Sequence, residues 1–66
     1  MEPLSTDRAD AAFAFTKDEL VLLNNALNEV CNGAAIEDWE FSTRLGADRS
    51  EALSLLRQLG AAISKL

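Results

Sequence analysis

The sequence predicts an all-α fold class: a compact three-helix bundle whose second and third helices form a helix-turn-helix-like hairpin. Apolar residues recur at spacings of three and four, two segments carry capping boxes, and glycines follow two of the helical segments. The predicted helices span residues 16–32, 37–45 and 48–65. They form one domain of residues 15–66, after a flexible N-terminal tail of residues 1–14.

The first predicted helix has marked signals at both ends. Thr16 and Glu19 form a capping box, in which each side chain accepts a hydrogen bond from the other residue's backbone amide. At the other end, we expect Gly33 to adopt the left-handed conformation that stops a helix. The apolar residues cover about half of the helix circumference, more than one neighbouring helix would bury. They are Leu20, Leu22, Leu23, Ala26, Leu27, Val30 and Cys31.

The second predicted helix is short and apolar on two sides. Phe41 and Leu45 share one face, whereas Ile36 and Trp39 lie on nearly the opposite face. Acidic residues cluster at its N-terminal end, where the helix dipole favours negative charge. Gly46 follows the helix and is expected to end it.

The third predicted helix begins with a second capping box, formed by Asp48 and Glu51. One apolar stripe then runs along it: Ala52, Leu55, Leu56, Leu59, Ala62, Ile63 and Leu66. Gly60 lies at the edge of this stripe and the periodicity continues past it. We therefore expect the helix to continue through Gly60, weakened there by about 1 kcal/mol relative to alanine. The alternative, in which the helix stops at Gly60, stays open.

Composition limits both stability and function. A chain of 66 residues buries only about 60% of its unfolded surface, so its stability is marginal without added support. One cysteine and no histidine exclude an internal disulfide and a tetrahedral zinc site, so we expect no metal and no cofactor. Without histidine, tyrosine or a phosphate-binding loop, the chain is not expected to be an enzyme or to bind a small-molecule substrate.

The chain is acidic, with a net charge of −5, which disfavours binding to nucleic acid or membranes. Its charge is uneven: residues 1–41 hold nine acidic and two basic side chains, whereas residues 42–66 hold two acidic and four basic ones. The sequence contains no apolar run long enough for a membrane span and no signal peptide. Together with the free Cys31, this predicts a cytoplasmic protein.

The favoured functional hypothesis is a protein-interaction module that forms a homodimer. The chain carries more apolar helix surface than three short helices hide, and exposed apolar patches usually mark contact sites. Tryptophan is also enriched at binding hot spots. The predicted interface residues are Leu22, Ala26, Ile36 and Trp39. A simpler interpretation, in which Ile36 and Trp39 pack on the first helix, stays open.

Two other functions are kept as alternatives. Residues 38–55 resemble the helix-turn-helix motif in spacing, with Gly46 at the turn and Ser42 where the helices cross. This resemblance is generic and covers less than a third of the chain. It implies a small DNA-binding regulator that presents Arg49, Ser50, Ser54 and Arg57. The acidic first half alternatively suggests an antagonist that masks a basic protein partner.

Overall fold

The computed structural model describes all 66 residues and contains three helices preceded by a two-stranded antiparallel sheet. The elements are β1 (Glu2–Thr6), β2 (Ala11–Ala14), α1 (Lys17–Asn28), α2 (Asp38–Leu45) and α3 (Arg49–Ile63). A π-helical turn, Glu29–Gly33, prolongs α1. The three predicted helices are therefore present, but the all-α class is wrong, because residues assigned to a tail form a β-hairpin.

Asp7 organises the turn that joins the two strands. Its carboxylate accepts hydrogen bonds from the backbone amides of Ala9 (2.8 Å) and Asp10 (2.7 Å). The Asp7 amide in turn donates to the Asp10 carbonyl at 2.8 Å. Aspartate commonly forms such turns by accepting from amides two or three residues ahead. This local signal makes a hairpin from a segment whose alanine content otherwise favours helix.

The hairpin stands beside the helices without packing on them. Neither strand makes a close backbone approach to any helix, and every residue of both strands is exposed. The N-terminal ammonium of Met1 donates to Glu19 in the first turn of α1. This contact, followed by the bond from the Thr16 amide, holds the pKa of the Glu19 carboxyl below its ordinary value.

Helix α1 begins as predicted and ends differently. In the capping box, the Thr16 amide donates to Glu19 at 2.9 Å and the Glu19 amide donates to the Thr16 hydroxyl at 3.2 Å. At the other end, the Ala34 amide bonds to the Glu29 carbonyl at 2.8 Å, five residues back. Gly33 does not adopt the predicted left-handed conformation, since Gly46 alone has a positive φ. A widened turn therefore closes this helix.

Helices α1 and α3 pack against each other antiparallel. Arg49 at the start of α3 bonds to Cys31 at the end of α1, whereas Gly60 lies beside Asn24 near the other end of the pair. A β-carbon at Gly60 would lie 4.0 Å from the Asn24 side-chain oxygen, an ordinary contact distance. Helix α3 runs through Gly60 to Ile63, as its unbroken periodicity predicts.

The small core is centred on Phe41, which is completely buried, and Cys31, which is 4% exposed. The Arg49 guanidinium lies over the Phe41 ring, 4.6 Å from its centroid. It also donates to the carbonyls of Cys31 and Ile36, and its Nε donates to Asp38 at 3.0 Å. A single side chain on α3 thus joins the end of α1, the following loop and the start of α2.

Helix α2 does not complete a compact bundle. It packs against α3 but makes no close backbone approach to α1. Gly46 ends it in the left-handed conformation, with φ of 74°, and the Ser42 hydroxyl donates to Asp48 at 2.8 Å across the turn into α3. The molecule measures 35 × 30 × 15 Å, so its shortest dimension is little more than one helix thick.

Replacing Arg49 with lysine is expected to destabilise the protein by about 2 kcal/mol. Lysine keeps the charge but lacks the planar fork that serves two carbonyls and Asp38 together. Urea denaturation at one fixed protein concentration measures the change. Arg57→Lys, on an exposed position of the same helix, is the control and should stay within about 0.5 kcal/mol. Equal effects of the two substitutions would contradict the role assigned to Arg49.

The hairpin is expected to loosen in acid. The bonds from the Asp10 and Ala9 amides lower the pKa of Asp7 from its ordinary value of 3.8. The stabilisation is therefore complete above that value and is lost as the pH falls through the lower pKa of the folded state. Amide chemical shifts of β2, followed by NMR from neutral to strongly acidic pH, measure this loss. Asp7→Asn should flatten the response, whereas Asp10→Asn should leave it intact.

Candidate interaction surface

An apolar groove of about 500 Å³ runs between α1 and α3 on one face of the molecule. All eight side chains that line it are hydrophobic: Phe15, Leu23, Ala26, Leu27, Val30, Leu45, Leu55 and Leu59. We call this set the apolar groove. No charged or polar side chain contributes to its lining, so it offers packing surface and no hydrogen-bonding group.

The helix periodicity places these residues together. On α1 and its π-helical turn, Leu23, Ala26 and Val30 are separated by three and four residues and so share one face. On α3, Leu55 and Leu59 repeat at four and face the same side. Phe15, just before α1, and Leu45, the last residue of α2, complete the lining. The groove therefore depends on all three helices.

The groove is partly open to solvent, since half of its lining residues are exposed and the other half are half-buried. Leu55 is 51% exposed, and Leu23 and Leu45 are also exposed. From the sequence, Leu23, Leu55 and Leu59 belong to the apolar stripes of the first and third helices, which together carry more apolar surface than three short helices hide. Leu23 and Leu55 are exposed and Leu59 is half-buried, because α2 makes no close backbone approach to α1 and does not form a third layer over the groove.

The structure separates the four predicted interface residues. Ala26 lies in the apolar groove, and Leu22 is exposed on α1 without lining it. Ile36 is half-buried, and its carbonyl accepts a bond from Arg49. Trp39 is 73% exposed on α2 and does not line the groove. The simpler interpretation, in which Trp39 packs on the first helix, does not fit this exposure.

The residues of the DNA-binding alternative do not form a basic surface. The Arg49 guanidinium is engaged by Phe41 and two carbonyls, while Ser50 and Arg57 are exposed and Ser54 is half-buried. A second hollow, of about 470 Å³, adjoins Arg49 and contains two carboxylates. Its lining residues are Asp38, Ser42, Asp48, Arg49, Ser50 and Leu53. Carboxylates at this position oppose the approach of a phosphate backbone.

The titratable groups show no arrangement typical of catalysis. The two carboxyls whose pKa values are clearly lowered, Asp7 and Glu19, are exposed and bind backbone amides or the N-terminus. No group of three or more cysteine, aspartate or glutamate side chains is positioned to hold a metal ion. None of the helices has the length and apolar character needed to cross a membrane.

Comparison with known proteins adds no relative to this description. No family model matches the chain, and neither a curated protein nor a solved structure is similar enough to count as a match. The features of the chain that bear on function are the exposed apolar groove and the small size of the buried core.

Proposed function

We propose that this chain is a protein-interaction module that self-associates, forming a homodimer that buries the apolar groove. The observation that carries the proposal is the area of exposed surface. The chain exposes 5084 Å², whereas a compact monomer of 7.2 kDa exposes roughly 4,100 Å². The excess of roughly 1,000 Å² includes both the uncovered hairpin and the apolar groove, and it is of the same order as the ~800 Å² that each partner buries in a stable interface.

The dimensions of the molecule support the same proposal. The radius of gyration is 13.2 Å, whereas a compact domain of this length has a value of about 11 Å. Only two residues are buried, and both lie around Arg49 at one end of the helix pair. The remainder of the α1 and α3 contact has no third layer, and stable domains bury such faces between two layers.

A second copy fits the groove better than a charged partner. Because the lining contains no charged or polar side chain, nothing in it selects a partner by charge. Two such faces related by a two-fold axis place leucine and valine against leucine and valine, the arrangement of a four-helix layer. The net charge of −5 lies on other surfaces and is not buried by this pairing.

Leu55→Glu is expected to convert the dimer to a monomer. Dimerisation would then bury an unpaired carboxylate inside the apolar groove, so the dissociation constant should rise at least about 100-fold. Leu55 is half exposed in the single chain, so the substitution should leave the monomer folded. Sedimentation equilibrium gives the association state, and circular dichroism checks the helix content.

Two control variants test whether the dimer interface is the apolar groove. Leu66→Glu and Trp39→Glu place the same charge on exposed apolar positions outside the groove, and both are expected to remain dimeric. If Trp39→Glu abolished the dimer and Leu55→Glu did not, the interface would lie on α2, and the proposal that the apolar groove forms it would be wrong. A well-folded wild-type monomer at tens of micromolar would reject self-association altogether.

A further inference from the structure

The β-hairpin is incomplete as an isolated unit. It has only two strands, all of their residues are exposed, and neither strand approaches a helix. A two-stranded hairpin is marginally stable at best in water without a third strand or a helix to cover it. The hairpin therefore has one free backbone edge on each strand and no partner for either within the chain.

The two free edges differ in chemistry. Strand β1 carries Pro3, which has no amide hydrogen, and the register shifts between Pro3 and Ser5, which leaves Leu4 as a bulge. It also carries the charge of Glu2. Proline, bulges and charges are the features by which proteins prevent strand pairing at an edge. The outer edge of β1 is thus blocked.

The β2 edge has none of these features. Its four residues are Ala11, Ala12, Phe13 and Ala14, each with an amide hydrogen and none with a charge. A neutral, uncharged edge strand with free amides and carbonyls is a template for pairing with another strand. The sequence thus leaves one specific edge open.

We propose that β2 pairs antiparallel with β2 of a second copy, which produces a four-stranded sheet in the order β1-β2-β2-β1. A two-fold axis perpendicular to the sheet places a strand antiparallel to its own copy, so an uncharged edge is complementary to itself. This inference rests on the proposed self-association and names a second contact within it.

The open edge is continuous with the apolar groove. Phe15, the residue after β2, lines the groove, and its ring lies 6.3 Å from the ring of Phe13 at an interplanar angle of 42°. In the proposed dimer, one two-fold axis that passes beside this aromatic pair would serve both contacts, the β2 edges and the adjoining ends of the two grooves. The sheet and the helical interface then belong to one dimer.

The two-fold symmetry restricts the register. Residues directly opposite in an antiparallel pair face the same side of the sheet, so the axis passes through a residue pair. Among the symmetric registers, the two that pair three of the four β2 residues place Ala12 opposite Ala12 or Phe13 opposite Phe13. In both registers the two Ala12 side chains lie on the same face, directly opposite or as diagonal neighbours within reach of long side chains.

Charge reversal at Ala12 tests the pairing. In Ala12→Lys and in Ala12→Glu, like charges meet across the axis and the homodimer weakens. In an equimolar mixture the opposite charges meet, so the heterodimer should form about tenfold more tightly than either homodimer. Native mass spectrometry counts the three species. Recovery of the dimer on mixing also shows that both variants fold.

Ser5→Lys and Ser5→Glu provide the matched control. Ser5 pairs with Ala12 inside the hairpin but lies on the outer strand of the proposed sheet. These two variants should dimerise like the wild type and form heterodimers at the statistical proportion. If the wild type dimerises but the Ala12 pair shows no more selectivity than the Ser5 pair, the strand pairing is rejected and the groove interface stands. If the wild type does not dimerise, self-association itself is rejected.

Discussion

The Arg49 guanidinium organises the folded chain more than any apolar cluster does. It covers the ring of Phe41 and donates to carbonyls at the end of α1 and in the following loop, while Asp38 balances its charge. The planar fork suits this task because several donors act in one plane. The π-helical turn and the start of α2 both converge on this side chain, so the path of the chain between α1 and α3 depends on it.

The rest of the architecture follows from the fact that the chain has one buried centre, around Arg49, Phe41 and Cys31, and no second one. The core lies at one end of an antiparallel helix pair, and the other end contains no fully buried residue. A layer only 15 Å thick has two broad faces, and one of them carries the apolar groove. Small domains usually solve this shortage of core by adding disulfides, metals or a second copy. The one cysteine is buried and no group of side chains is positioned to hold a metal ion, so a second copy is the solution that we propose for this chain.

Local rules predicted much of this fold. The Thr16 capping box, the left-handed Gly46 and the continuation through Gly60 all follow from interactions within a few residues, and the structure contains all three. Features that depend on contacts between distant parts of the chain were harder to predict from the sequence. The hairpin depends on the Asp7 turn in a segment that lacks alternating hydrophobicity. Arg49 is among the residues that the DNA-binding alternative presents outward, because periodicity does not reveal that its guanidinium reaches across to Phe41 and to the carbonyls of Cys31 and Ile36. The apolar stripes predict which faces of α1 and α3 are apolar. They do not predict whether another element covers those faces, because that depends on how α2 packs in the whole chain.

The burial of Cys31 has a kinetic consequence. Its sulfur lies in the core, and the carbonyl of the same residue is bound by Arg49. A thiol reagent therefore reaches the sulfur only after the packing around the π-helical turn has opened. When closing is fast relative to the chemical step, the modification rate follows the equilibrium population of open molecules. The modification rate of Cys31 therefore measures how often the structure around the π-helical turn opens, and no additional cysteine has to be introduced.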